Sequence, residues 1–156
     1  MKPATLVLAY GNPSRGDDAL APLLLEALAR APIGDEVELL TDFQLQIEHV
    51  LDLEGRQRIV FVDAALRGAE PFCFTQITAE PDATLSTHAL SPGALLAVFR
   101  THFGFTAPPC HLLAIRGYAF ELGDGLSAGA QRNLDAARTA LLHWLTPVTN
   151  TQVARA

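Results

Sequence analysis

Two adjacent acids, Asp17 and Asp18, end the stretch GNPSRGDD, which separates an apolar run from a segment with helical periodicity. Glycines between a strand and a helix are typical of phosphate-binding loops, but adjacent carboxylates would repel a phosphate. The stretch also matches neither G-x-G-x-x-G nor a Walker P-loop, because no Lys follows its glycines. The acid pair therefore favours a cation as the ligand.

Two further residues are candidates for the same site. Asp63 ends the apolar run RIVFV, and His88 lies in STHALSP, ahead of a predicted helix. Two carboxylates and one imidazole suit a borderline divalent ion such as Ni²⁺, Zn²⁺ or Fe²⁺. Three protein ligands leave room for water or substrate, as in a catalytic or sensing site. The residue types thus predict a metal site formed by Asp18, Asp63 and His88.

Each candidate also has an ordinary structural interpretation. An Asp at a helix start commonly caps the helix, and an Asp at a strand end commonly belongs to a turn. A lone loop histidine is more often neither ligand nor catalyst. With two acids present, one can cap the helix while the other binds metal. Spacing alone leaves these alternatives open.

The elements that must position these residues alternate between strands and helices. Strands are predicted for TLVLAY, VELLTD, RIVFVDA, FCFTQI and HLLAIRG. Helices are predicted directly after Asp18, within QIEHVLDL, from Ser91 to Gly104 and after Ser127. This order predicts an α/β fold, a three-layer αβα domain with a mostly parallel twisted sheet of about five strands. FCFTQI is the expected antiparallel edge strand, and ligands are expected at the carboxyl ends of the strands.

Patterning also predicts which side chains are buried. Four apolar residues of QIEHVLDL are expected to face inward: Ile47, Val50, Leu51 and Leu53. Cys73 is expected to be a small buried hydrophobe. Three helical histidines are expected to face solvent or be half-buried: His49, His102 and His143. Cys110 and His111 are strand neighbours, so their side chains should point to opposite faces and form no catalytic pair.

Composition restricts the class of protein. The chain has 156 residues, 49% hydrophobic and 18% charged, with a net charge of −6. The negative charge disfavours nucleic acid and anionic membranes as partners, and no apolar run reaches the length of a membrane span. The two cysteines form no disulfide framework, and the N-terminus is too short for a signal peptide, which indicates a cytoplasmic location. We expect a single α/β domain over 1–146 and a polar C-terminal tail over 147–156.

The sequence resembles the hydrogenase maturation proteases, which trim the C-terminus of the large subunit of nickel–iron hydrogenases. The resemblance is carried by LVLAYGNPSRGDDALAPLLLEAL, RIVFVDAA, STHALSPGALL and LLAIRGYAFELGDGLS, in that order. With the final helix it covers nearly the whole chain. The most specific element is the pair Gly11–Asn12 followed, six residues after the asparagine, by the acid at 18. Many family members have Gly after the acid pair, whereas this chain has Ala19.

The resemblance implies a function and a site. Metal-contacting positions of the family fall on Asp18, Asp63 and His88, with Gly11, Asn12 and Asp17 in the supporting loop. With Asp18 on the metal, Asp17 is the acid expected to cap the helix. The implied activity is that of a nickel-dependent processing endopeptidase, a hydrolase that recognises the nickel already loaded into its substrate protein. The enzyme would then need no metal of its own and no organic cofactor. The segment GNPSRGDDAL most resembles the corresponding loop of the family branch that serves NAD-reducing or bidirectional hydrogenases. Whether the metal also acts in the chemical step stays open, and no nucleophile is identified.

Two other functions remain open. A non-catalytic nickel or large-subunit chaperone could use the same three ligands to dock without cleaving. A nucleotide-binding α/β module is disfavoured by the acids of the loop. H-E-x-x-H does not occur in the chain, which argues against a zincin-type protease.

Overall fold

The computed structural model describes residues 1–80 and 90–146, and His88 and the tail over 147–156 lie outside these ranges. Five strands form one sheet: β1 (Thr5–Tyr10), β2 (Val37–Asp42), β3 (Arg58–Ala65), β4 (Phe72–Ile77) and β5 (Cys110–Arg116). Four α-helices accompany it: α1 (Leu20–Ala29), α2 (Val50–Leu53), α3 (Pro92–Phe103) and α4 (Ala128–Leu145). The predicted α/β class and the five-strand sheet are confirmed.

The sheet order is β2-β1-β3-β5-β4, and every neighbouring pair is parallel except β4 with β5. The predicted antiparallel edge strand is therefore β4. Helices cover both faces because the strands β1, β3 and β5 are apolar on both sides. On one face, α1 and α4 pack against the side chains of Val7, Val60 and Leu113. On the other, α2 and α3 pack against Leu6, Ile59 and Phe61.

The chain connections on the two sides of β1 run in opposite directions, so the sheet has a topological switch point between β1 and β3. From β1 the chain crosses through α1 to β2 on one side, and from β2 it returns through α2 to β3 on the other side of β1. Open α/β sheets bind ligands at such a point, outside the carboxyl ends of the two strands. The loop with the acid pair leaves β1 at this place, and Asp63 belongs to β3.

Helix ends agree with their residue types. Ser91 caps α3 by accepting a hydrogen bond from the Ala94 amide at 3.1 Å, and Pro92 is its first residue. Gly104 ends α3 with a positive φ of 82°, the left-handed conformation that glycine adopts without strain. Ser127 caps α4 in the same way as Ser91 caps α3. No helix in the described ranges is long and apolar enough to span a membrane.

Several burial predictions were wrong. Val50 and Leu53 are buried as expected, but Ile47 and Leu51 are 49% and 57% exposed, because the segment forms one short 3₁₀ turn and a four-residue helix rather than a continuous amphipathic helix. Cys73 is exposed, since β4 is an edge strand with one face open. His49 is buried, whereas His102 and His143 are exposed as predicted.

Candidate functional site

Asp18 lies in a 3₁₀ turn, Gly16–Ala19, that leads directly into α1. The Asn12 amide donates a hydrogen bond of 2.6 Å to Asp18 Oδ2, which orients the carboxylate across the loop. Gly11 makes this approach possible, because a Cβ there would lie 2.2 Å from the Asp18 carbonyl oxygen. The supporting role predicted for Gly11 and Asn12 thus has a geometric basis.

The start of α1 also explains the unusual residue after the acid pair. Ala19 has φ −73° and ψ −9°, and over 1–80 and 90–146 no residue other than glycine has a positive φ. A right-handed helical start accepts Ala without strain. Pro22 falls in the first turn of α1, where its missing N–H leaves no helical hydrogen bond unmade.

Asp63 lies within β3 rather than at its end, because the strand continues through Ala65. Its carboxyl group is half-buried, and its pKa is raised to about 7. Desolvation by burial is the largest cause, and the nearby charge of Asp18 is the second. Hydrogen bonds from the Ala64 amide and the Tyr10 hydroxyl act in the opposite direction without overcoming these two effects. The influence of Asp18 places its charge in the neighbourhood of Asp63, at the same edge of the sheet.

Tyr10 is a site residue that the sequence analysis missed. It lies one residue beyond Ala9, which is paired with Val62, so Tyr10 and Asp63 project to the same face of the sheet. Its hydroxyl interacts with the Asp63 carboxylate, and burial followed by the charge of Asp63 raises the Tyr10 pKa far above its usual value. A Tyr at the last position of an otherwise apolar strand, directly before the acid loop, was the pattern that could have identified it.

Asp17 is fully buried and does not cap its own helix, so the predicted capping role was wrong. Its Oδ2 accepts from the Tyr118 amide at 2.7 Å, the Ala119 amide at 3.0 Å and the Ser127 hydroxyl at 2.7 Å. Its Oδ1 accepts from the Ser127 amide at 2.8 Å. Desolvation alone would raise the pKa of Asp17, but these four hydrogen bonds outweigh it and lower the pKa.

The amides of the acid loop are already engaged within the protein. Ser14 N–H donates to Asn12 Oδ1, and Arg15 N–H donates to the Asn12 carbonyl. The amides of Gly16 and Asp17 donate to the carbonyls of Asp124 and Ala119. A phosphate cradle needs free N–H groups that point at the ligand, so this loop is not built as one.

The third predicted ligand, His88, lies outside the described residues. Over 1–80 and 90–146, no group of three or more His, Cys, Asp or Glu side chains is arranged to hold a metal ion. The described part of the chain therefore contains two of the three predicted ligands, Asp18 and Asp63, and their role in binding metal stays a prediction.

A cleft adjoins the acid loop on the side of β2. It has a volume of about 280 Å³ and is lined by Gly11, Pro13, Pro22, Thr41, Asp42 and Phe43. The carbonyl of Asp42 accepts the Gly11 amide at 3.0 Å, which joins the end of β2 to the loop. The Asp42 carboxylate lies 3.3 Å from Nε2 of the buried His49. Neither residue of this pair was predicted to lie beside the site.

Cys110 does not supply a nucleophile at this site. Burial raises the pKa of Cys110 to about 12, and its thiol lies near the carbonyl of Pro108 at the amino end of β5. Cys110 packs in the core on the α3 side, whereas the His111 ring contacts Phe74 and Trp144 on the other face. The prediction that they form no catalytic pair is confirmed.

Comparison with known proteins identifies the fold. No protein-family model matches the chain, and no curated protein matches its sequence. Among solved structures, the hydrogenase maturating endopeptidase HybD from E. coli is 23% identical, with a TM-score of 0.76 over 93% of this chain and 92% of that one. The [NiFe] hydrogenase maturation protease HycI from Thermococcus kodakarensis KOD1 is also 23% identical, with a TM-score of 0.69 over 92% and 93%. A hydrogenase 2 maturation peptidase from Thaumarchaeota archaeon SCGC_AB-539-E09 is 19% identical, with a TM-score of 0.65 over 90% and 97%. The chain therefore has the fold of these hydrogenase maturation endopeptidases over nearly its whole length.

Proposed function

We propose that this protein is an endopeptidase that removes the C-terminal extension of a nickel–iron hydrogenase large-subunit precursor. In this proposal the nickel already held by the precursor is the recognition element. The observation that carries it is the convergence of Asp18 and Asp63 at the β1–β3 switch point, close enough for one charge to raise the pKa of the other. The shared fold supports the choice of reaction.

The chemistry of the donor set fits a divalent cation. Two carboxylates that repel each other gain from a positive charge placed between them, which would lower the pKa of Asp63 and release its proton. Carboxylate oxygens joined by one imidazole favour a borderline metal, and we assign that imidazole to His88. The precursor would complete the coordination of its own nickel, so the protease needs no resident metal and no organic cofactor.

The neighbouring groups keep each carboxylate in position. The Asn12 amide engages Oδ2 of Asp18, and Oδ1 is the atom that we assign to the nickel. The Tyr10 hydroxyl holds the Asp63 carboxylate at the same edge. Such outer contacts fix the orientation of a ligand before metal arrives, so less conformational entropy is lost when the metal binds.

Processing of a purified precursor tests the proposal. The nickel-loaded large subunit is incubated with the protein, and the mass of the large subunit is followed by mass spectrometry. The expected result is a mass decrease equal to that of the C-terminal extension, with the extension recovered as one peptide. Asp18→Asn is the matched control, because it keeps the shape of the side chain and removes its charge. A stable complex with an unchanged precursor mass would instead indicate the non-catalytic chaperone.

A further inference from the structure

We propose that Asp17 is a positioning residue of the site, which fixes the metal-contacting Asp18 by fastening the acid loop to the segment before α4. This inference rests on the proposed function for the role of Asp18. The segment over 117–127 joins β5 to α4, and we call it the clamp loop.

The clamp loop surrounds the Asp17 carboxylate with hydrogen-bond donors. Three backbone amides and one hydroxyl donate to its two oxygens, at 2.7 to 3.0 Å. Both oxygens act only as acceptors here. An amide side chain would turn one of them into a donor facing an N–H or O–H group, so the site requires a carboxylate rather than an Asn.

Ser127 connects this arrangement to α4. Its hydroxyl donates to Asp17 Oδ2 at 2.7 Å and accepts from the Ala130 amide at 3.2 Å, so one side chain caps α4 and holds Asp17. The position of the acid loop is thereby tied to the first turn of an 18-residue helix packed on the core.

Backbone hydrogen bonds run in both directions between the acid loop and the clamp loop. The Gly16 amide donates to the Asp124 carbonyl at 3.2 Å, and the Gly123 amide donates to the Ser14 carbonyl at 2.8 Å. The two loops also approach too closely for side chains, since a Cβ on Gly16 would lie 2.3 Å from the Ala119 carbonyl oxygen. A Cβ on Gly117 would lie 2.8 Å from the Asp17 Cβ.

Because Asp17 and Asp18 are consecutive in one 3₁₀ turn, holding the backbone of Asp17 in place also sets the position of the Asp18 backbone. The side chain of Asp18 then needs only the Asn12 amide to set its direction. Asp17 acts through its neighbour and touches no reacting group in this account. Changes to such outer partners typically weaken metal affinity or activity by roughly 10- to 100-fold.

The test compares four variants that separate positioning from stability. Asp17→Asn disrupts the carboxylate contacts, Ser127→Ala removes one donor, and Ser127→Thr restores the hydroxyl. Leu141→Ala is the stability control, because Leu141 is fully buried on α4 in the core and far along the helix from Ser127. All are studied at a temperature where thermal unfolding curves show each to be folded.

Three quantities are measured: affinity for Ni²⁺ alone by equilibrium titration, hydrogen exchange of the Asn12 amide, and kcat and KM on nickel-loaded precursor. Asp17→Asn should weaken Ni²⁺ affinity and lower kcat/KM on nickel-loaded precursor by about 10- to 100-fold, with faster exchange at Asn12. Ser127→Ala should show the same pattern to a smaller extent, and Ser127→Thr should restore it. Leu141→Ala should lower the unfolding midpoint while its Ni²⁺ affinity stays within about twofold of wild type.

The inference is overturned if Asp17→Asn keeps wild-type Ni²⁺ affinity and Asn12 exchange, or if Leu141→Ala reproduces its losses. Failure of the proposed function would look different. Wild-type protein would then leave the precursor uncut, while the Asn12 exchange rates would still show whether Asp17 positions the loop.

Discussion

The carboxylates of Asp17 and Asp63 lie on the same edge of the sheet, yet their surroundings shift their pKa values in opposite directions. Asp17 is completely buried and accepts four hydrogen bonds, and its pKa falls. Asp63 is half-buried beside the charge of Asp18, and its pKa rises to about 7. Both are desolvated, so burial does not separate them. Their pKa values differ because of the number of hydrogen-bond donors around each carboxylate and the sign of the nearest charge.

The difference separates a structural carboxylate from a functional one. A buried charge with full hydrogen bonding stabilises the fold that holds it. A partly buried pair of like charges costs stability, and such unfavourable arrangements concentrate at sites where a ligand relieves them. Asp18 is a functional carboxylate like Asp63, although it is the sequence neighbour of the structural Asp17. Four substitutions test this division, and the one expected to reduce activity most is given first.

Replacing Asp18 by Asn should have the greatest effect on activity. The amide is a poor metal ligand, so we expect processing of the nickel-loaded precursor to fall by more than about 100-fold, beyond the roughly 10- to 100-fold range of outer-contact changes. The thermal unfolding midpoint should change little. A time course of precursor cleavage, with circular dichroism as the check on folding, measures both. Near-wild-type processing would remove Asp18 from the site.

Replacing Asp63 by Asn should also impair processing, and it should stabilise the protein at high pH. The pKa of Asp63 is higher in the folded protein than its ordinary value of 3.8, so the folded state binds the proton more tightly and loses stability as pH rises towards about 7. An uncharged Asn avoids this loss. At pH 8 the variant should be more stable than wild type by about 1–3 kcal/mol, a difference that disappears below pH 4. Urea unfolding across this pH range decides it, and a variant less stable than wild type at pH 8 would contradict the prediction.

Replacing Asp17 by Asn should act on stability in the opposite direction. The folded-state pKa of Asp17 is lowered, so its contribution is present above its unfolded pKa and is lost as pH falls through its folded pKa. At pH 7 we expect the variant to be destabilised by about 1.5–3 kcal/mol, the range for hydrogen bonds to charged groups. The gap between wild type and variant should narrow in acid. Thermal unfolding at pH 7 and below pH 4 provides the comparison, and an unchanged gap would mean that the charge of Asp17 contributes nothing.

Replacing Ala19 by Gly should have the smallest effect. The backbone at Ala19 is right-handed, with φ −73°, so glycine gains no relief from strain. Its greater freedom in the unfolded chain should cost about 0.5–1 kcal/mol. Processing should remain within about twofold of wild type. If Gly at this position raised either stability or activity, Ala19 would be strained in a way that its dihedral angles do not show.

The fold was largely predictable because it depends on local patterns. Apolar strands alternating with amphipathic helices predict a parallel sheet with helices on both faces, and Ser91, Pro92 and Gly104 mark the ends of α3 through their own chemistry. Asp18 and Asp63 could be expected at one edge, because the carboxyl ends of parallel strands share it, and their role as metal ligands stays a prediction. His88 stays a prediction.

What the sequence did not reveal depends on contacts between distant residues. Asp17 was expected to cap its own helix, but its partners lie about a hundred positions away in the clamp loop, and no local pattern connects them. Tyr10 was missed because its role needs the register of β1 with β3. Ile47 and Leu51 were expected inside because helical periodicity assumes a longer helix than the chain forms there.

Parallel reactions with nickel-loaded and metal-free precursor decide whether nickel in the precursor gates cleavage. The protein is present in excess, and mass spectrometry reads the C-terminus of the large subunit at each time. Asp18 and Asp63 alone form an incomplete coordination shell, so we predict that only the nickel-loaded precursor loses its extension. Adding free Ni²⁺ to the protease without loading the precursor should not restore cleavage. Efficient cleavage of the metal-free precursor would contradict the account.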